Sequence, residues 1–279
     1  MSAPYGSERT GLAHALTISD QEFALFQRLI YQLAGISLAD SKKVLLVGRL
    51  QRRLREYGLN DFGSYYRLLV GGQHPTELQT MVDLLTTNET YFFREAGHFD
   101  FLRDAVLATR RSTSTFRIWS AASSTGEEAY SMAMVLAEAL ANSPWEVFAS
   151  DISTRVLDKA RSGLYANTRT EGIPPALRRK YCLPGDDERS FCIAPQIRQR
   201  VRFQQVNLTR PIDPRVGSFD VVFLRNVMIY FDTETKRQVV GHLLPRLLPG
   251  GYFIVGHSES LSGIGVGLAA VRPTIYRKV

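Results

Sequence analysis

Three polar residues, Asn88, Thr90 and Arg94, are threaded through an aromatic run, Tyr91-Phe92-Phe93. A passive linker is rich in Gly, Ser and Pro. These rings instead seek burial and draw their polar neighbours into a partly closed site. Such a site can offer an amide, a hydroxyl and a guanidinium to a bound molecule. A second cluster, Ser120-Ala121-Ala122-Ser123-Ser124-Thr125-Gly126-Glu127-Glu128, joins the end of one strand pattern to a helix pattern. Small residues there let a ligand approach the backbone. No Gly-x-Gly-x-x-Gly is present, and two acids occupy the positive end of the helix dipole, where they would repel a pyrophosphate. This disfavours NAD and favours a ligand without phosphate and with some positive charge. S-adenosylmethionine, with its sulfonium and α-ammonium, is such a ligand.

Further candidates sit at strand ends, where open α/β sheets bind ligands. Asp151 can accept hydrogen bonds from both hydroxyls of a ribose, or Asp151-Ile152-Ser153 is simply a helix cap. Asn207-Leu208 closes the third strand, and Arg225-Asn226-Val227-Met228-Ile229-Tyr230-Phe231 follows the fourth. Arg225 could equally be a solvated charge or a partner of Asp232, and Tyr230 with Phe231 could merely plug the domain. His257, after the fifth strand, reads as a structural hydrogen-bonder. No spacing suggests a Ser/His/Asp relay, which discounts hydrolase chemistry. Cys182 and Cys192 could face each other across a hairpin, although a reducing compartment disfavours a disulfide. No second Cys pair or nearby His completes a zinc site, so no metal is expected.

The elements that must position these groups fall into two styles. Residues 18–83 read as four helices. Phe23, Phe26, Leu29, Ile30 and Leu33 recur at helical spacing after Ser19, and Gly35 ends that helix. A second helix spans 40–57, with Val44, Leu45, Val47, Leu50 and Leu54 as its apolar positions. Lys42, Lys43, Arg49, Arg52, Arg53 and Arg55 form its basic face. Helices over 62–70 and 76–85 follow. From 116 onward strands and helices alternate: strands at 116–121, 146–151, 201–207, 219–224, 252–256 and 270–277, helices at 127–140, 154–162 and 233–248. This alternation argues for a doubly wound sheet. Residues 174–200 break it, as a short helix and two extended pieces around Pro184-Gly185-Asp186-Asp187-Glu188-Arg189. The expected organisation is a helical domain over 1–83, a linker over 84–115 that lends residues to the site, and a sheet domain over 116–279 with a β-insertion at 174–200.

Hydrophobic content of 44% and charged content of 22% suit one large and one small soluble domain. No run reaches the ~18 apolar residues of a membrane span, and Met1 to Thr10 lacks a signal-peptide apolar core. A cytoplasmic location and no membrane insertion are expected. The net charge of +7 suits nucleic acid, an anionic membrane surface or an acidic protein partner.

The motifs Asn88-x-Thr90-x-Phe92-Phe93-Arg94, Trp119-Ser120-Ala121-Ala122-x-Ser124-Thr125-Gly126-Glu127-Glu128, Ala149-Ser150-Asp151-Ile152, Val206-Asn207-Leu208, Arg225 to Asp232 and Gly256-His257-Ser258-Glu259 together resemble the chemotaxis receptor methyltransferase family, CheR. The likeness runs from about Phe23 to Lys278. It implies a Rossmann-like S-adenosylmethionine-dependent methyltransferase of the α/β class. The implied activity is protein-glutamate O-methylation on the cytoplasmic helices of chemoreceptors, with S-adenosylhomocysteine as product. Carried over, Asn88, Thr90, Arg94, Glu128, Asp151, Asn207, Leu208, Arg225 and Asn226 would bind the cofactor. Arg94 and Tyr230 would stand nearest the methyl group. Arg49, Arg52, Arg53 and Arg55 would meet the Glu-rich receptor helices, so that charge reversal at Arg53 would weaken receptor binding and spare the cofactor. The acidic turn of the insertion leans against a tethering receptor peptide. A monomer is expected. The competing readings are a nucleic-acid methyltransferase, disfavoured because positive charge gathers on one helix, and a non-catalytic receptor adaptor.

Overall fold

The computed structural model describes residues 16–111, 113–141, 143–264 and 267–279. The expectation for Met1 to Thr10 lies outside these residues.

The helical domain contains α1 (Asp20–Ala34), α2 (Lys43–Glu56), α3 (Phe62–Val70) and α4 (Pro75–Leu85). Ser19 opens α1 with a capping box: its hydroxyl accepts from Glu22 N, and Glu22 reaches back to Ser19 N. Gly35 closes it in the left-handed conformation. Phe26, Ile30, Leu50, Leu54, Phe62 and Tyr65 are fully buried between the helices. On α2 the buried stripe is Leu46, Leu50 and Leu54 at i, i+4, i+8. Val44, expected in the core, is instead 82% exposed, because two residues before Leu46 it stands ~200° around the helix from that stripe.

Residues 84–115 are more than a linker. They contain α5 (Gly97–Phe101), which continues as a π-helical turn over Leu102–Leu107. Phe99, Phe101, Leu102 and Leu107 pack into the same core as the sheet. Phe92 and Phe93 join that core too, so the aromatic run is an anchor for the sheet domain.

Seven strands form the main sheet: β1 (Phe116–Ser120), β2 (Trp145–Asp151), β6 (Val201–Gln205), β7 (Phe219–Leu224), β8 (Leu247–Val255), β9 (Leu268–Arg272) and β10 (Ile275–Lys278). Their order is β6-β2-β1-β7-β8-β10-β9. The first five are parallel, and β10 and β9 close one edge antiparallel. Helices α6 (Glu127–Leu140), α7 (Thr154–Ser162) and α10 (Thr233–Leu243) connect them. Strand β7 shows why its sequence is continuously apolar: Val221 and Phe223 enter the core on one face, Val222 and Leu224 that on the other. After β1 the chain moves to β2 and β6, then crosses to β7 on the other side of β1. The crevice of such a sheet therefore lies between the carboxyl ends of β1 and β7.

Three expectations change here. The last helix ends at Leu243, and a 3-10 turn leads into β8, which already contains Pro249-Gly250-Gly251 behind a register shift against β7. The single final strand is a hairpin of β9 and β10, with Thr274 at positive φ in its turn. The insertion starts earlier, because β3 (Leu164–Ala166) pairs with β5 (Ser190–Ile193), which also pairs with β4 (Cys182–Pro184). Helices α8 (Pro175–Tyr181) and α9 (Pro195–Arg198) flank this small sheet. Within it Cys182 registers with Ile193 and Cys192 with Leu183. Neighbouring residues on a strand point to opposite faces. The two free thiols therefore lie on opposite faces and do not confront each other.

Candidate active site

A cavity of about 520 Å³ opens where the helical domain meets the carboxyl ends of the parallel strands. Its size suits a drug-sized ligand or cofactor. Asn88, Thr90, Arg94, Glu128, Asp151, Asn207, Leu208, Arg225, Asn226 and Tyr230 all line it. So does Arg49, whereas Arg52, Arg53 and Arg55 do not.

Each residue arrives by a local cause. Asp151 ends β2 and lies buried, its Oδ2 accepting from Ser124 N at 2.9 Å and its Oδ1 from Ser153 N at 3.0 Å. Those two bonds tie the β1 and β2 loops together and leave lone pairs for other donors. Burial raises the Asp151 carboxyl above the ordinary range, opposed by the N–H groups of Ser153, Ser124 and Ile152. Of the two acids that open α6, only Glu128 faces the cavity, where it accepts from Ser120 Oγ at 2.6 Å. Glu127 turns away and accepts from Thr125. Gly126 has φ +96, and a Cβ there would meet Ala160 and Tyr165 at 2.8 and 3.0 Å. That glycine thus serves packing of the loop as well as any ligand approach.

The floor is a charge network. Arg225 is buried after β7, with Nη2 3.1 Å from Glu95 and Nη1 3.2 Å from Glu128. Its guanidinium also stacks on Phe99 and Phe223. It is neither a solvated charge nor the partner of Asp232, which instead caps α10 and accepts from Tyr31 Oη. Burial pushes the Glu95 carboxyl up, but Arg225, Asn226 and the His257 N–H outweigh it and hold it low. Glu128 goes the other way: burial dominates and raises it despite Arg225. Glu259 braces the neighbouring turn, accepting from Asn226 N, Met228 N and Gly256 N at 2.7–2.8 Å. Only glycine fits at 256, because a Cβ would stand 2.6 Å from Asn226 Nδ2 and 2.9 Å from Glu259.

Phe93, Glu95, Ser124 and Asn226 all adopt positive φ without being glycine. Ser124 and Asn226 line the cavity and Glu95 bonds to Asn226 beneath it, and a non-glycine residue held in this region costs about 1–2 kcal/mol. Sequence reasoning did not find Glu95 or Glu259 as parts of the floor. The signal available was their acidity beside Arg94 and His257; what they bond became visible only in three dimensions.

The helical domain closes the cavity. Arg49 donates from Nη1 to Leu85 O at 2.8 Å and Thr86 O at 3.1 Å, and from Nη2 to Thr87 Oγ1 at 3.2 Å. Asn207 Nδ2 donates to Leu33 O at 2.6 Å, so its amide ties the two domains together at the cavity edge. Arg94 donates to Glu89 O at 2.9 Å and sits over the Tyr91 ring. The expected continuous basic face of α2 is divided. Arg53 is bound to Glu77 and Glu56 inside the domain, whereas Arg52 and Arg55 project outward, with Glu56 and Gln51 as partners. Reversing Arg53 would set like charge against buried Glu77, so it does not isolate receptor binding.

A doubly wound sheet with an acid at the end of β2 and a phosphate-averse helix start defines an S-adenosylmethionine-dependent methyltransferase. The donor set fits that cofactor: Asp151 and Glu128 offer acceptors for hydroxyls and an ammonium, and Arg225 keeps Nε buried without a hydrogen-bond partner. The family description "CheR methyltransferase, SAM binding domain" matches residues 88–272, and "CheR methyltransferase, all-alpha domain" matches 21–86. The chain is 43% identical over 269 residues to the "Chemotaxis protein methyltransferase" of Escherichia coli, covering 95% of this chain and 93% of that one. It is 40% identical to "Chemotaxis protein methyltransferase 2" of Pseudomonas aeruginosa, covering 92% of each. Among solved structures, TrmN from Thermus thermophilus aligns over 66% of this chain and 48% of that chain, at 14% identity and a TM-score of 0.40. The chain belongs to the CheR methyltransferase family.

Proposed function

We propose that this protein transfers a methyl group from S-adenosylmethionine to glutamate side chains on the cytoplasmic helices of chemoreceptors. One observation carries the reading: Arg49, Arg94 and Tyr230 line the cavity, and among the described residues no His or Cys does. A glutamate is already ionised at neutral pH, so it needs no general base to attack carbon. It needs steering, alignment and removal of water, and orientation alone can supply ~7–11 kcal/mol. The bound cofactor supplies the electrophilic methyl carbon.

In this reading Asp151 holds the ribose hydroxyls and Glu128 the amino-acid end. Asn88, Thr90 and Asn226 add polar contacts, with Asn207 and Leu208 beside the adenine. Arg94 steers the incoming carboxylate, and Tyr230 orients it. Tyr230 is fixed by its backbone, whose carbonyl accepts from Ser37 N at 2.8 Å. The helical domain thereby sets one of the two residues nearest the chemistry. Arg52 and Arg55 are the outward cations of α2 and meet the acidic receptor surface, while Arg49 contributes from the cavity wall.

The test is transfer of labelled methyl to a receptor cytoplasmic fragment. The label should be released as methanol by alkali, as a glutamyl methyl ester requires, and lost when the acceptor glutamates are alanine. Alkali-stable label, or label on RNA alone, would overturn the assignment. Asp151→Ala should weaken S-adenosylmethionine binding at least 30-fold, about 2 kcal/mol, by calorimetry. Arg94→Ala and Tyr230→Phe should slow turnover while cofactor still binds.

A further inference from the structure

We propose that Glu95, His98 and His257 form a binding site for a transition-metal dication of the zinc(II) class, behind the floor of the cofactor cavity. One ligand atom from each lies within 4.8 Å of the others. Neither His98 nor His257 lines the cavity, so the site is distinct from the cofactor pocket and joins it through the contacts of Glu95 with Arg225 and Asn226.

His98 is the decisive member. It is 3% exposed, and its Nδ1 is buried without a hydrogen-bond partner. The other ring nitrogen, Nε2, lies 2.8 Å from Thr274 Oγ1. That hydroxyl has one proton, and it is committed to Pro273 O at 2.6 Å. This network assigns the ring proton to Nε2, which then donates to Thr274. Nδ1 is then a bare lone pair, and 3.4 Å away stands the carboxylate oxygen Glu95 Oε2. That oxygen also accepts from Arg225 Nη2 and the His257 N–H, each at 3.1 Å, but Nδ1 itself has no donor. A cation between the ring nitrogen and the carboxylate gives Nδ1 a partner. A metal-binding histidine typically donates its second N–H to an oxygen, as His98 does here.

Spacing supports the assignment. With zinc–nitrogen and zinc–oxygen bonds of ~2.0–2.1 Å, tetrahedral ligands stand roughly 3.3 Å apart. The Glu95–His98 separation already matches. His257 Nε2 is 4.0 Å from the same Glu95 oxygen, and its ring, 63% exposed, packs edge-on to the His98 ring at 5.0 Å. Two imidazoles and a carboxylate are the donors that zinc, nickel and copper favour, and magnesium or calcium do not. Three protein ligands leave one position open to water on the exposed His257 side.

The nearby guanidinium sets the strength. Arg225 Nη2 approaches the same Glu95 oxygen at 3.1 Å, so the ion shares that carboxylate with a positive charge. Binding is therefore weaker than at a closed structural site. It also draws on the carboxylate that fixes Arg225 and the Asn226 amide, whose Nδ2 donates to Glu95 Oε1 at 3.1 Å. Occupancy would thus be felt at the cavity floor.

The experiment uses the full chain without a polyhistidine tag, titrated with zinc chloride by calorimetry and with cobalt(II) by visible absorption. Wild type should bind one equivalent and show ligand-field bands. His257→Ala, at an exposed position, should fold normally and lose at least tenfold in affinity. His74→Ala should bind as wild type does. No stoichiometric binding by folded wild type, or equal affinity in His257→Ala, would overturn the site. The His98 side-chain nitrogen shifts give an independent reading: a metal moves Nδ1 on addition. An Nδ1 already protonated at neutral pH, or unmoved by saturating metal, would assign the gap to a proton or a water and reject the proposal.

Discussion

The molecule holds two buried arginine–carboxylate centres, and they are built to opposite specifications. In the helical domain, Glu77 accepts from Arg53, from Tyr65 Oη at 2.6 Å and from Tyr57 Oη at 3.2 Å. The donors saturate the carboxylate and hold it below the usual range against its own burial. In the sheet domain, Arg225 meets two carboxylates and two aromatic faces, yet its Nε has no hydrogen-bond partner. A buried polar group left unpaired costs free energy. The complete centre is architecture, and the incomplete one keeps bonding capacity for something that arrives later. Both look alike in sequence, as an arginine near acids; what separates them is how many partners each has already found.

Removing the completed centre should have the largest effect. Glu77→Ala leaves Arg53 with Glu56 alone and two tyrosine hydroxyls unpaired, and should destabilise the protein by about 3 kcal/mol in denaturant unfolding. A loss below 1 kcal/mol would show that the centre is not structural. The next effect tests the sheet-domain network through pH. Burial and then Arg225 lower the His98 imidazole to about 4 from 6.5. The unfolded chain therefore takes up a proton between those values that the folded chain refuses. This contribution is fully present above pH 6.5 and is lost as pH falls toward 4, for a total of about 3 kcal/mol. Measured with a chelator present, His98→Gln should flatten the stability profile in that window relative to wild type; parallel profiles would remove His98 from the network.

A smaller effect is expected where the two domains meet. Asp83 on α4 accepts from Thr154 N at 3.1 Å, Thr154 Oγ1 at 2.9 Å and Arg155 N at 3.2 Å. Asp83→Ala should cost about 1–2 kcal/mol, as loss of a cap does, and should raise the KM for S-adenosylmethionine more than it lowers kcat. The reverse split would show that Asp83 does not act through the Asp151 turn. Least of all, Arg52→Glu should change stability by under about 1 kcal/mol, because its pair with Glu56 is exposed. It should weaken receptor affinity several-fold in a salt-dependent way, and indifference to salt would exclude α2 charge from docking.

Much of this was legible from the chain. Strand ends at Asp151, Asn207 and Arg225 followed from apolar runs broken by polar residues, and the crevice rule then placed them together. The helices of the first domain announced themselves through Ser19, Gly35 and Gly58. What escaped depended on direction and register. Arg49, Arg52, Arg53 and Arg55 share one short stretch, but helical geometry sends them to a cavity wall, to solvent and to a buried acid. Cys182 and Cys192 were one residue of register from confronting each other. Glu95 looked like an extension of the aromatic motif, and its partners lie more than a hundred residues away at Arg225, Asn226 and His257. Long-range pairing of that kind leaves no local pattern to read.

Helix α7 begins three residues after Asp151, and its own cap residue, Ser153, contributes no side-chain hydrogen bond. Asp83 supplies that service from the other domain, while Gln79 on the same helix donates to Ile152 O at 3.1 Å. The turn that presents Asp151 is thus held in place by a neighbour that is separate in sequence and in fold. The two family segments meet at a boundary near residue 87, yet mechanically there is no seam there. A chain cut at that boundary would leave α7 with a bare, fraying first turn, and the loosened end would carry Asp151, the proposed ribose ligand, with it. Loss of cofactor and loss of the helical domain should therefore be a single event, and the protein should melt as one cooperative unit.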